Sequence, residues 1–194
     1  MESKPSAKRR ADAERSITAI VEAALECLRA EPNVGMAAIA RAAQVSRVTL
    51  YAHFPTREAV VEAATRHAMT RARATLDTTA LDALPADEAL AALTRTSWRI
   101  LDHHLGLFAA VSATLPPETV RDHHERAMEP LRRLLHRGRE EGTIRTDQPV
   151  EWLVSAYYHL IHAAAAEVRA GRLPAEAAPD ALVGTLLPAL RPAP

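Results

Sequence analysis

Residues 39–54 read IARAAQVSRVTLYAHF, and no other stretch of the chain restricts its fold as much. Ile39, Ala40 and Ala43 put an apolar edge on one short helix. Ser46 can cap a second, with Val45 before it and Leu50 inside it as a hydrophobic staple. Leu50 and Phe54, four residues apart, share the inward face of that second helix. Pro55 ends it, because a residue before proline is biased away from helical dihedrals. Helices this short are not stable alone, so longer ones beside them must hold the pair.

The flanking sequence supplies such helices. From about residue 12 to residue 30, Ile17, Ile20, Ala24 and Leu28 recur at spacings of three and four, an amphipathic stripe that PNVG (32–35) stops. Thr56 is an N-cap for a fourth helix running towards Leu76, and TLDTTALDALP (75–85) reads as its frayed end and a linker. Further helices are predicted over about 86–104, 105–113, 117–141, 149–170 and 174–190. Gly142 and Gly171 stop two of them, and Pro179 marks a late start or a kink in the last. With no strand alternation of useful length and no internal repeat, the expected fold is all-α. The expected organisation is a basic flexible arm (1–11), a three-helix domain (12–55), a connecting helix (56–78) and a helical bundle (79–194).

Composition narrows the setting. Lone Cys27 excludes an internal disulfide and fits a reducing compartment. The charged N-terminus has no apolar run behind it and does not read as a secretory signal, so a cytoplasmic location is expected. Net charge is zero, but residues 1–73 carry 12 Lys and Arg against 8 Asp and Glu, and residues 74–194 carry 12 against 16. A basic front suggests a polyanionic partner, with scatter as the alternative.

The second short helix indicates which polyanion. With Leu50 and Phe54 inward, Arg47, Val48, Thr49, Tyr51, Ala52 and His53 face outward or flank. Small residues, one Arg, hydroxyls and a His, with no acid, suit the major groove of DNA. Free N–H groups at the helix start can face phosphate.

The stretch IARAAQVSRVTLYAHFPTREAVVEAA closely resembles the helix-turn-helix of the TetR/AcrR family of bacterial transcriptional regulators. Ile39, Ala40, Ala43, Val45, Ser46, Thr49, Leu50, Tyr51, His53, Phe54 and Glu58 match the usual wording of that motif. The resemblance implies that Thr49, Tyr51, His53 and Arg57 contact phosphate or flank the groove, and that Arg47, Val48 and Ala52 reach bases. Met36 and Ala37, opening the first short helix, complete the expected DNA-binding set. Three positions depart from the family pattern. Gln44 replaces the turn glycine, where a positive φ costs roughly 1 kcal/mol. Gly35 replaces a capping Thr or Ser, and Arg57 replaces a lysine. The arm residues Lys4, Lys8, Arg9 and Arg10 either reach the minor groove or phosphates, or merely solubilise the chain.

The rear helices indicate partners. On a wheel of residues 150–169, Glu151, Ser155, Tyr158, His162 and Arg169 fall in one stripe and nearly everything else is apolar. A helix so apolar needs cover from two sides, its own core and a second subunit. The last helix, with Leu182, Val183, Leu186, Leu187 and Leu190, has a similar excess, and the family resemblance likewise implies a homodimer through the last two helices. Trp98, Leu101, His104, Phe108, His124, Met128, Trp152 and Tyr157 are expected to line a cavity for a mostly apolar or aromatic effector. His159 and His162 could share an ion, but nothing in register completes a metal site, and no enzyme motif is present. Neither a catalytic role nor a cofactor is expected. The expected function is an operator-binding regulator, a repressor released from a palindromic site by its ligand. The alternative is a TetR-like fold with weak or lost DNA binding that acts through protein–protein contact.

Overall fold

The computed structural model describes residues 4–76, 78–125 and 127–192, without the side chains of residues 4–9 and Thr78. Within it the chain forms eleven helices and no strand. They are α1 (Lys4–Ala30), α2 (Met36–Ala42), α3 (Arg47–His53), α4 (Arg57–Thr75), α5 (Thr78–Asp82), α6 (Ala86–Asp102), α7 (Leu105–Thr114), α8 (Pro117–Glu125), α9 (Glu129–Glu140), α10 (Val150–Arg169) and α11 (Ala178–Leu190).

Three elements differ from the sequence expectation. Residues 4–11, expected as a flexible arm, continue α1. Pro5 sits in the first turn, where a missing N–H is harmless, and the Ala, Lys, Arg and Glu that follow are good helix formers. The arm's Lys4, Lys8 and Arg9 side chains lie outside the described residues, and Arg10 is exposed. The expected helix over 117–141 is two helices, because Pro130 occupies the first turn of α9 and cannot sit inside a continuous helix without losing a hydrogen bond. The linker after α4 contains the short helix α5.

The chain divides into two compact units, Met1–Arg71 with Gly106–His123, and Ala72–Leu105 with His124–Pro194. In the first unit, Ile20, Ala24 and Leu28 of α1 meet Ile39, Leu50, Phe54, Val60 and Val61 in one core, and Leu107, Ala110, Val111 and Val120 of α7 and α8 belong to it. Ile17, expected in that stripe, is 39% exposed. A Cβ on Gly106 would lie 2.2 Å from the carbonyl oxygen of Arg29, so α7 approaches the end of α1 at backbone distance.

In the second unit, α6 packs on α9, α10 and α11, and α10 packs on α9 and α11. Gly142 and Gly171 take the positive φ that ends α9 and α10 (73° and 68°). Pro179 lies in the first turn of α11 and is a late start rather than a kink. Arg137 donates to the carbonyls of Leu81 and Leu84, and Arg145 closes onto Ala189 and Leu190, so long side chains cap the loops.

Candidate nucleic-acid interface

The turn between α2 and α3 is tight. Gly35 caps α2 from an extended conformation (φ −84°, ψ 156°) without a side-chain bond. Gln44 takes φ 57°, the left-handed conformation that the missing turn glycine implied, and Val45 N–H donates back to the Ala40 carbonyl at 3.0 Å. Ser46 then caps α3. Its Oγ accepts from Thr49 N–H at 3.0 Å and bonds the Thr49 hydroxyl at 2.8 Å. Leu50 and Phe54 are buried, as their spacing predicts.

That arrangement leaves Arg47, Val48, Tyr51 and Ala52 exposed on one side of α3, with Thr49 and His53 half-buried at its flank. Val48 is 81% exposed, the highest value among the exposed large hydrophobic side chains. Ala37 is exposed at the start of α2, whereas Met36 is half-buried against the core. Arg57, expected to contact phosphate or flank the groove, is half-buried. Its guanidinium turns inward and donates to the Pro32 carbonyl, and its other terminal nitrogen is buried without a hydrogen-bond partner. It ties the loop before α2 to α4. No Asp or Glu occurs between Glu31 and Glu58, a span that holds Arg41, Arg47, Arg57 and His53. Glu58 accepts from its own backbone N–H and from Thr56, which holds its carboxyl below the ordinary range.

The residues expected around a ligand fall in both units, Phe108 in the first and the other seven in the second. Trp98 and Tyr157 are buried, and the Tyr157 hydroxyl donates to Ser97 Oγ at 3.3 Å. Burial pushes the Tyr157 phenol up. Leu101, His104, His124 and Met128 are half-buried. Trp152 is 59% exposed. Its exposure follows from the helix wheel. The outer side of α10 carries Trp152, His159, Ala163 and Ala166, while the stripe members Tyr158 and His162 turn towards His124. The His124 and His162 rings meet edge-on at 5.0 Å, and Tyr158 lies 4.1 Å from His162. His162 Nδ1 bonds the Tyr158 carbonyl at 2.8 Å. Burial, with His124 beside it, lowers His162 to about 4. Among the described residues no group of three or more His, Cys, Asp or Glu is placed to hold a metal ion, and no helix is long and apolar enough to cross a membrane.

A short helix presented this way on a helix-turn-helix has the form of a DNA-binding domain. Residues 20–64 match the profile described as bacterial regulatory proteins, tetR family. Solved structures extend the likeness in fold to most of the chain. The TetR-like regulator LfrR from Mycobacterium smegmatis, in complex with proflavine, is 24% identical with a TM-score of 0.65, over 89% of this chain and 94% of that one. A Saccharomonospora viridis protein in complex with choline is 21% identical with a TM-score of 0.70, over 89% and 94%. The fatty acid degradation regulator FadR from Bacillus halodurans is 18% identical with a TM-score of 0.72, over 90% and 99%. The search of curated proteins returns no match.

Proposed function

We propose that the protein is a cytoplasmic homodimeric repressor that grips a palindromic operator through α3 and lets go when a small molecule binds its second unit. The outward face of α3 carries this reading: Arg47, Val48, Tyr51 and Ala52 stand exposed in a segment free of acids. Arg47 supplies the bidentate donor suited to guanine, and Tyr51 with the flanking Thr49 and His53 meets the phosphate backbone. Ala37 and Met36 border the same site from α2, and Arg57 acts by holding the loop in place.

The exposed sides of α10 and α11 support the dimer. Ala163 and Ala166 on α10, with Ala181, Gly184 and Thr185 on α11, are small and exposed, which lets a second subunit approach closely. Leu186 is 1% exposed and belongs to the subunit's own core, so the seam runs along the opposite side of α11. Two proteins of like fold are solved with proflavine and choline, which supports a small organic effector here. Its walls in this reading are Trp98, Leu101, His104, His124, Met128 and Tyr157.

A gel shift with the DNA upstream of the protein's own gene tests the proposal. A retarded band that candidate effectors abolish, over the concentrations at which they change Trp98 and Trp152 fluorescence, is expected. A specific band that no effector weakens would remove the release step, and the absence of any band would remove operator binding at that DNA.

A further inference from the structure

We infer that Val48 reads the 5-methyl group of a thymine in the bound DNA, an inference that rests on the DNA-binding reading of α3. Val48 is 81% exposed, and folding gives no reason for it there. A β-branched residue is a poorer helix former than Ala, Leu or Arg, and α3 has only seven residues. An apolar side chain so placed gains only if something covers it.

The surroundings favour DNA over a protein surface as the cover. No acid lies between Glu31 and Glu58, while Arg47 is the adjacent residue and Arg41 is also exposed. Ala52, four residues on and on the same face, is small and exposed, so that neighbour leaves room for a groove wall at Val48. Valine has no donor or acceptor and cannot read guanine, adenine or cytosine by hydrogen bonds. The thymine methyl is the apolar group that a base pair presents in the major groove.

Binding sites selected from a random duplex pool with the full-length protein provide the test, each thymine then being replaced singly by deoxyuridine. Wild type should lose about fourfold in affinity at one position per half-site, what burying one methyl is worth. Val48→Ala, which should melt no lower than wild type because the side chain is exposed and Ala is the better helix former, should bind thymine and uracil there alike. A selected site at which no replacement weakens wild type by twofold would overturn the inference while leaving DNA binding intact. So would a Val48→Ala protein that retains the full uracil penalty. A pool that enriches no sequence would sink the DNA-binding reading itself and this inference with it.

Discussion

Gln44 carries the turn between α2 and α3 at φ 57°, where a side chain costs about 1 kcal/mol that glycine avoids. Gln44→Gly should therefore raise unfolding stability by roughly that amount in urea melts, and a loss of stability would mean that the Gln44 side chain makes up for its strain. His162 makes stability depend on pH. Its folded value of about 4 lies below the 6.5 of the free side chain, so between the two the unfolded chain binds more protons. The contribution is fully present above about pH 6.5 and is lost as pH falls towards 4, the loss reaching about 2 kcal/mol by pH 5. His162→Gln should flatten that part of the stability profile. An unchanged slope between pH 7 and 5 would place the titration elsewhere.

Among the elements, α7 falls in the first unit, with α1. Its start meets the α1 carbonyls so closely that Gly106→Ala would drive a Cβ to 2.2 Å from backbone, which no rotamer relieves. The expected cost is about 1–3 kcal/mol or more, read as a lower melting temperature. Gly184→Ala, where nothing lies within 4 Å, should leave the subunit's own stability nearly unchanged. Equal melting temperatures for the two variants would refute the close contact. Most helices were legible because proline and glycine punctuate them: Pro55, Gly142 and Gly171 act where the pattern places them. The break before α9 was not, since Pro130 interrupts an apolar stripe that continues at the right spacing on both sides. Spacing also placed Leu50, Phe54 and the outward set on α3, because one face of a short helix is all that such a pattern must resolve. It could not reveal the inward turn of Arg57 onto Pro32, a contact 25 residues apart along the chain. Nor could it orient α10, most of whose circumference is apolar, so the exposure of Trp152 was not legible. Gly106 did leave a signal, an isolated glycine in a helical pattern, which often marks close backbone approach.

Binding a palindromic operator as proposed takes two copies of the chain, because one short helix contacts only one half-site. Gly184→Arg would set a charge on the small-residue side of α11 and should yield monomers by light scattering with weakened operator binding. A stable dimer of that variant would move the seam elsewhere. In the proposed function α3 reads DNA sequence. The most direct test of this is the affinity of the wild-type protein and of Arg47→Ala for the operator and for a scrambled duplex, at one physiological salt concentration. Wild type should bind the operator about a thousandfold or more tighter than the scrambled DNA, and Arg47→Ala should lose about 1–3 kcal/mol on the operator with little change on the scrambled duplex. Equal affinity of wild type for both duplexes, or an Arg47→Ala protein as selective as wild type, would contradict it.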